Sequence, residues 1–218
     1  MTKRKITVLT DGGMNSDYAA FIAKRFDVTF VTYNQILYGD ANTPDLLLFT
    51  GGADITPAIY GENINSRTMS DRSRDGGDFK NFIEFNYLPK VGICRGSQML
   101  TVASRGKLIQ HVTGHLGYHT ITTKDGEYDI TSTHHQMLFP FNLEKEDYEI
   151  IAYSKEFKSD TYLDGDNKEI VVPEGFVEPE IVKYHKTNSL AIQGHPEMRS
   201  CPNKTTEYCL DLIEKLLN

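Results

Sequence analysis

A short strand, one cysteine and a helix follow one another in the segment Lys90-Val91-Gly92-Ile93-Cys94-Arg95-Gly96-Ser97-Gln98. Lys90 to Ile93 is a short segment of strand length that is apolar from Val91 onward, and Pro89 marks its start. Apolar residues at helical spacing resume over Ser97 to Ser104, and Gly106 is expected to cap that helix at its C-terminus. A strand that turns directly into a helix is the repeating unit of α/β proteins.

The same alternation extends towards the N-terminus. We predict strands at Ile6 to Thr10, Val28 to Val31 and Leu46 to Thr50, and helices at Asp17 to Phe26 and Phe79 to Tyr87. The first strand ends in Asp11-Gly12-Gly13 and the third in Gly51-Gly52, which are loop signals. Strands that alternate with helices predict a doubly wound α/β fold with a mostly parallel, flavodoxin-like sheet and flanking helices.

The second half of the chain is richer in strands. An Asp-Gly signal within Lys124 to Glu127 predicts a hairpin. Further strands are expected at His119 to Thr123, Tyr128 to Thr133, Glu149 to Tyr153, Glu169 to Val172, Glu180 to Tyr184 and Leu190 to Gln193. A final helix is expected at Lys204 to Leu217. We expect one domain over residues 1–218, in which antiparallel strands extend the parallel sheet.

The composition is typical of a soluble globular protein, with 39% hydrophobic and 24% charged residues. A formal net charge of −7 disfavours nucleic-acid binding. No secretory signal follows the basic run Lys3-Arg4-Lys5, and no segment approaches the ~20 apolar residues of a membrane span. The three cysteines, Cys94, Cys201 and Cys209, do not form a disulfide framework. These features predict a cytoplasmic protein without membrane contact.

Two polar segments stand apart from this alternation. Gly61 to Asp78 has little periodicity, so we expect a long loop that covers the site. Tyr153 to Gly175 is acidic and polar, and no role is assigned to it from sequence.

Cys94 has the sequence context of a nucleophile elbow, because Gly92 and Gly96 flank it between a strand and a helix. Glycines avoid the clashes of a strained turn, and the amides at the start of the helix favour a thiolate and later an oxyanion. On its own the motif leaves two interpretations about equally open. Cys94 is either a nucleophile or a small buried residue at a strand end.

A base and a residue that orients it are predicted in Gln193-Gly194-His195-Pro196-Glu197. His195 follows a late strand and so lies where parallel α/β sheets gather their sites. Glu197 is placed to bond one imidazole nitrogen, which leaves the other to take the proton of the thiol. A lone histidine is usually a surface or core residue, but its place before a carboxylate, in a chain with an elbow, favours catalysis.

These motifs resemble those of the class I glutamine amidotransferases and their hydrolytic relatives, the γ-glutamyl hydrolases (peptidase C26-like). Gly92 to Gln98 is similar to the family's G-x-C-x-G-x-Q elbow, and Gly194 to Glu197 to its G-H-P-E element. Gly51 to Pro57 with Tyr60-Gly61-Glu62 resembles the G-G-x-D-x-x-P...Y-G-E loop of the hydrolase branch, and Arg74-Asp75 its R-D pair.

The resemblance extends from about residue 6 to 200 and departs from the family pattern between Ala103 and His111. Relatives usually carry a Gly-Gly pair there, whereas this chain has Ser104-Arg105-Gly106.

Several site residues are implied by the resemblance. The catalytic triad falls on Cys94, His195 and Glu197, and the oxyanion hole on the main-chain amides of Gly52 and Arg95. Ser132 to Gln136 is similar to the family's S-x-H-H-Q segment. The expected substrate-binding residues are Gln98, His134, His135, Gln136 and Arg74. No metal and no organic cofactor is required for this chemistry.

The function predicted from these features is hydrolysis of a small-molecule γ-glutamyl amide through a thioester on Cys94, which releases glutamate and an amine or amidate. The alternative is a glutaminase subunit that supplies ammonia to a separate synthetase. Two protein assemblies are considered: a homodimer and a complex with such a synthetase. A non-catalytic scaffold is expected to lack a triad residue, and a cysteine peptidase needs an open cleft for polypeptide.

Three arginines in the polar segment have two interpretations. They either meet an anionic leaving group, since guanidinium groups suit carboxylates and phosphates, or balance neighbouring carboxylates on a solvated loop. The arginines are Arg67, Arg72 and Arg74, and the carboxylates are Asp71, Asp75 and Asp78.

Overall fold

The computed structural model describes residues 3–10, 16–32 and 44–218, so the predicted loop at Asp11-Gly12-Gly13 lies outside the described residues. The strands are β1 (Lys5–Thr10), β2 (Asp27–Thr32), β3 (Leu46–Phe49), β4 (Lys90–Ile93), β5 (Lys107–Ile109), β6 (His111–Val112), β7 (Leu116–Thr123), β8 (Gly126–Thr133), β9 (Met137–Phe139), β10 (Tyr148–Ser154), β11 (Tyr162–Leu163), β12 (Pro179–Tyr184) and β13 (Ser189–Ile192). The helices are α1 (Ser16–Ala23), α2 (Arg72–Glu84), α3 (Arg95–Ala103) and α4 (Asn203–Leu216).

Nine of these strands form the central sheet, in the order β2-β1-β3-β4-β13-β12-β10-β7-β8. The first five strands in that order are parallel to one another. The remaining four extend the sheet in antiparallel fashion. Two small antiparallel pairs, β11 with β6 and β5 with β9, lie outside it. The predicted mixed α/β fold, with a parallel half and an antiparallel extension, is confirmed.

Helices cover both faces of the parallel half, and the alternation along β3 shows why. Leu46 and Leu48 point to the face covered by α1 and α4, whereas Leu47 and Phe49 point to the face covered by α2 and α3. All four side chains are completely buried. A strand buried on both faces is apolar at every position, which is the continuous pattern seen in the sequence.

The polar segment Gly61 to Asp78 is only partly a loop, because α2 begins at Arg72 rather than near Phe79. Asp71 caps this helix, and its side chain accepts hydrogen bonds from the backbone N–H groups of Ser73 and Arg74. The first two turns are polar and contain two glycines, so the apolar periodicity missed them. An aspartate at this position is itself a helix-start signal.

Three local predictions need correction or refinement. The left-handed residue after α3 is Arg105, with φ 70°, rather than Gly106. The predicted strand at Glu169 to Val172 is wrong: only an isolated bridge joins Glu169 to Leu163, because the apolar side chains of this segment pack on a small separate core. The hairpin is confirmed, with Gly126, at φ 125°, as the first residue of β8.

Among the residues that the structure describes, no helix has the length and apolar character needed to cross a membrane.

Candidate active site

Cys94 lies at the turn between β4 and α3 in a strained backbone conformation, with φ 52° and ψ −111°. Its backbone N–H donates to the carbonyl of Ile192 on β13 (2.8 Å), which ties the turn to the neighbouring parallel strand. A non-glycine residue rarely adopts a positive φ, and such strain is found at functional sites. The turn holds the thiol at the N-terminus of a helix, where the amide dipoles favour negative charge.

The two glycines that flank Cys94 are required by close backbone packing. A Cβ atom on Gly92 would lie 2.2 Å from the carbonyl oxygen of Gly96, and one on Gly96 would lie 2.1 Å from that of Phe49. Side-chain atoms do not tolerate such contacts. Strand β3 and the elbow can therefore approach each other only because both positions lack side chains.

His195 follows β13 and lies with Cys94 in the wall of one cavity. Its Nδ1 atom lies 2.7 Å from Oε1 of Glu197, and both side chains are buried. Burial lowers the pKa of His195, but the neighbouring Cys94 and Glu197 outweigh burial and raise this pKa to about 10. His195 thus carries a proton beside the sulfur at neutral pH.

A residue that the sequence analysis did not assign, Thr133, completes the environment of His195. Its hydroxyl lies 2.7 Å from the imidazole Nε2, the nitrogen that faces away from Glu197. Thr133 ends β8, on the antiparallel side of the sheet. The sequence signal that could have identified Thr133 is its position inside Ser132 to Gln136, because that segment was already assigned to the site.

The Gly51-Gly52 loop lies against the elbow. The hydroxyl of Tyr18, on α1, accepts a hydrogen bond from the Gly51 N–H (2.9 Å), and Gly52 lines the cavity beside Cys94. Within the described residues, the backbone N–H groups of Gly52 and Arg95 donate to no protein acceptor. These are the two amides predicted for an oxyanion hole.

Arg74 is not placed in the cavity, which corrects its expected role in substrate binding. Its guanidinium donates to the carbonyls of Gly51 (2.8 Å) and Thr50 (3.0 Å) from behind the loop, and it pairs with Asp78. A Cβ on Gly52 would lie 2.2 Å from a guanidinium nitrogen of Arg74. Arg74 therefore supports the loop.

The side chain of Arg95 is also engaged in the interior. It is completely buried and pairs with Asp75 (2.6 Å) and with Asp78. Two of the carboxylates considered as loop charges are thus buried partners of the arginines, which favours the charge-balancing interpretation for Arg74. The ion pairs join α2 to the first turn of α3.

The cavity at Cys94 has a volume of about 330 Å³. Its walls bring together residues from five segments that are distant in sequence, namely Gly52, Ala53, Asp54, Met69, Cys94, Gln98, Thr133, His134, His135 and His195. Of the predicted substrate-binding residues, Gln98, His134 and His135 are present. Asp54, which the sequence analysis did not assign, bonds Nε2 of His135 (3.1 Å) and raises the pKa of that imidazole.

Gln136 does not reach the cavity, so its expected direct contact with substrate is also corrected. Its side chain is completely buried and donates to the Thr68 hydroxyl (3.2 Å). Its carbonyl accepts hydrogen bonds from Nδ1 of His134 (2.9 Å) and from the side chain of Gln98 (3.5 Å). Gln136 thus holds two cavity residues in place.

The expected covering loop contributes one residue, Met69, to the cavity wall. The segment Tyr153 to Gly175, to which no role was assigned, supports the start of that loop. Asn63 donates to Asp166 (2.7 Å), and the Ser66 hydroxyl donates to Asn167 (2.7 Å).

The fold and the site together have the features that the resemblance to class I glutamine amidotransferases implies. The geometry combines a flavodoxin-like sheet, a cysteine on a strained strand-to-helix turn and a His-Glu pair after the next parallel strand. Residues 34–197 match the sequence profile of the Peptidase C26 family, so the chain belongs to that family.

Individual relatives agree with this assignment. "Putative glutamine amidotransferase Rv2859c" of Mycobacterium tuberculosis is 40% identical over 77 residues, which are 33% of this chain and 24% of that protein. The glutamine amidotransferase-like protein YvdE of Lactococcus lactis is 38% identical over 73 residues, 32% of this chain and 30% of YvdE. The matched stretches thus span less than a third of either relative.

A solved structure extends the likeness in fold to the whole chain. A glutamine amidotransferase from Thermotoga maritima superposes with a TM-score of 0.58 at 13% identity, covering 100% of this chain and 85% of that one.

Proposed function

We propose that Cys94, His195 and Glu197 form a catalytic triad that hydrolyses a γ-glutamyl amide and releases glutamate and an amine or amidate. The observation that carries this proposal is the position of His195, which lies with Cys94 in the wall of one cavity and is bonded through Nδ1 to Glu197. A nucleophile, a base and a group that orients the base are the parts that covalent amide hydrolysis needs.

In the first half-reaction the thiolate of Cys94 attacks the γ-carbonyl carbon, and the carbonyl oxygen becomes an oxyanion. The main-chain amides of Gly52 and Arg95 stabilise that charge, because neither has another protein acceptor within the described residues. When the intermediate collapses, the C–N bond breaks and His195 donates its proton to the leaving nitrogen. The products are a glutamyl thioester on Cys94 and a free amine.

In the second half-reaction a water molecule gives a proton to the now neutral His195 and attacks the thioester carbon. The C–S bond breaks, and glutamate leaves with the new oxygen. The proton remains on His195 beside the regenerated thiolate, so the pair returns to its starting state. Glu197 stabilises the charged imidazole throughout, in line with the raised pKa of His195.

The rest of the cavity suits the α-amino and α-carboxylate groups of a glutamyl moiety. Asp54 brings a carboxylate for an ammonium group, and Gln98 and His135 bring donors for a carboxylate. About 330 Å³ is at the small end of ligand sites, which favours a small-molecule substrate over a polypeptide.

The test is a hydrolysis panel of L-glutamine, γ-glutamyl amines and γ-glutamyl peptides, with α-glutamyl amides as controls. We expect hydrolysis of γ-linked substrates only, and a loss of at least about a thousandfold in Cys94→Ala. Cys209→Ala, which removes a thiol buried in α4, is the matched control and is expected to retain activity. Intact-mass analysis of rapidly quenched wild-type protein is expected to show a glutamyl adduct.

The proposal is wrong if folded Cys94→Ala remains active, or if α-linked and γ-linked amides are hydrolysed equally. The same panel addresses the glutaminase alternative. A subunit that supplies a synthetase is expected to prefer glutamine over every γ-glutamyl amine, and its activity is expected to rise when the synthetase is present.

A further inference from the structure

Behind the cavity, three histidines surround one glutamate in the antiparallel half of the sheet. His115 precedes β7, His119 lies on β7, His134 follows β8 and Glu180 lies on β12. Each of the four is at least 95% buried, and Glu180 is completely buried. The mechanism proposed above uses none of these side chains for chemistry, although His134 also lines the cavity.

Three imidazole nitrogens converge on one oxygen of this cluster. The Oε1 atom of Glu180 lies 2.9 Å from Nε2 of His119, 3.3 Å from Nδ1 of His115 and 3.6 Å from Nε2 of His134. The ligand-type atoms of His115, His119 and Glu180 all lie within 4.8 Å of one another. The nitrogens of His115 and His119 therefore share one small volume next to the carboxylate, a set that does not include His134.

Hydrogen bonding leaves this cluster unsatisfied. Among the described residues, both ring nitrogens of His115, Nε2 of His134 and Oε2 of Glu180 are buried without a hydrogen-bond partner. A buried polar atom without a partner costs roughly 1–3 kcal/mol. Nε2 of His119 is hydrogen-bonded to Oε1 of Glu180, whereas Nδ1 of His115 approaches that oxygen without a hydrogen bond, as a lone pair directed at a shared ion would.

The second nitrogens of His134 and His115 face a carbonyl and a carboxylate, although within the described part of the chain only that of His134 makes a hydrogen bond. His134 donates from Nδ1 to the Gln136 carbonyl (2.9 Å), which leaves the lone pair on Nε2 facing Glu180. Nε2 of His115 lies 3.3 Å from Oε2 of Glu178, so its Nδ1 faces Glu180. Metal-binding histidines almost always direct their second nitrogen at a carboxylate or a carbonyl.

We propose that His115, His119 and Glu180 bind a transition-metal ion through Nδ1 of His115, Nε2 of His119 and Oε1 of Glu180. Bonds of about 2.0–2.2 Å in tetrahedral geometry place ligand atoms roughly 3.3–3.6 Å apart. The distance from Oε1 to Nδ1 of His115, 3.3 Å, lies in that range, and the distance to Nε2 of His119, 2.9 Å, is shorter. Two nitrogens and one oxygen favour zinc over calcium or magnesium, which prefer oxygen ligands.

The proposed site supplies three protein ligands and leaves the fourth position of tetrahedral zinc to a water molecule. It joins β7 to β12, beside the end of β8, the segment that presents Thr133 to His195. The ion is not needed for the chemistry at Cys94. The metal proposal and the proposed hydrolysis can therefore fail independently.

The test uses the untagged chain with the Cys94→Ala substitution, so that a zinc ion cannot bind the active-site thiol. After chelator treatment and dialysis, zinc is titrated against a chromophoric competitor, and bound metal is counted by elemental analysis. We expect one zinc per chain, a raised thermal midpoint, no binding of magnesium, and visible absorption of four-coordinate cobalt after substitution with Co²⁺.

In the same background, Glu180→Gln keeps the side-chain volume and is expected to abolish stoichiometric zinc binding. Glu178→Gln changes the group that His115 faces, a carboxylate that also accepts hydrogen bonds from Lys158, Ser159 and Tyr162, and it is expected to weaken binding about 10- to 100-fold. His185→Ala removes an exposed histidine outside the cluster and is the matched control. Circular dichroism checks that each variant is folded.

The proposal is overturned if the chelated Cys94→Ala chain binds no zinc, or if folded Glu180→Gln binds it as tightly. A cluster that only forms hydrogen bonds and ion pairs would give either of these results. If Glu180→Gln does not fold, the titration of the Cys94→Ala chain alone still decides the outcome.

Discussion

His195 lies between three partners whose effects differ. Glu197 binds Nδ1, and the opposite ring nitrogen faces the Thr133 hydroxyl. Glu197 and Cys94 outweigh the effect of burial and raise the pKa of the imidazole to about 10. In the proposed mechanism this geometry stores the proton that the leaving amine requires, and it predicts how each partner influences the pH dependence.

Replacing Glu197 by glutamine is expected to shift the alkaline limb of the kcat/KM profile to lower pH. The glutamate raises the pKa of His195 towards about 10, so loss of its charge lowers that pKa and the proton is lost earlier as pH rises. We also expect kcat to fall about 10²- to 10⁴-fold, as for other general acid–base groups. A full pH profile measures both effects, and an unshifted limb would contradict the assigned role.

Thr133→Val is expected to lower kcat about three- to tenfold with little change in KM, because the loss of one hydrogen bond costs roughly 0.5–1.5 kcal/mol. The hydroxyl positions His195 and does not contact the reacting bond. Thr133→Ser keeps the hydroxyl and is expected to restore most of the rate. Equal losses in Thr133→Val and Thr133→Ser would assign the residue a packing role only.

The connection between β4 and α3 is shaped by backbone approach rather than by side-chain packing. Gly92 faces Gly96 across the turn, and Gly96 faces the end of β3, with no space for a methyl group at either position. The strain at Cys94 is therefore maintained by neighbouring elements. The Gly51-Gly52 loop is held in the same manner, by Tyr18 on one side and Arg74 on the other.

Gly96→Ala is expected to destabilise the protein by about 1–3 kcal/mol or more, because the added Cβ meets the Phe49 carbonyl oxygen. Gly76→Ala is the matched control. Gly76 lies in α2 with nothing within 4 Å of the added carbon, so the substitution is expected to stabilise by about 0.5–1 kcal/mol. Urea denaturation of both variants measures this, and similar losses in the two would refute the packing argument.

The whole sheet joins two halves with different tasks. The parallel half supplies the elbow, the loop at Gly52 and the strand before His195, while the antiparallel half supplies Thr133 and His134.

At the opposite end of β4 from Cys94, Lys90 is completely buried and donates to the carbonyls of Leu88 (2.6 Å) and Asn86 (3.3 Å). A buried ammonium makes the stability of the entire fold depend on pH.

Stability is expected to rise with pH between about 8 and 10.5 because of Lys90, whose pKa burial lowers from 10.5 to about 8. In that interval the unfolded chain holds a proton that the folded chain has lost, and the full effect is about 3 kcal/mol. Lys90→Met removes this contribution. Free energies of unfolding at pH 7.5 and 10.5 are therefore expected to differ less in Lys90→Met than in wild type, and an unchanged difference would argue against the lowered pKa.

Much of the site was predictable because its motifs are local. The elbow and the His-Glu pair each lie within a few consecutive residues, and the structure brings both to one end of neighbouring parallel strands. Arg74 and Gln136 were assigned to the cavity incorrectly because a short motif does not show which way a side chain points. Thr133 and Asp54 were missed because their roles depend on partners that are 62 and 81 residues away along the chain.

The sequence by itself determined the α/β class, the elbow at Cys94 and the pairing of His195 with Glu197, since apolar periodicity and glycine placement act over short distances along the chain. Only the tertiary structure decided which groups face the cavity, which buried charges pair behind it, and that three histidines from β7 and the ends of β7 and β8 approach Glu180. Those contacts depend on strand order and register, which bring distant segments together and which no local pattern specifies.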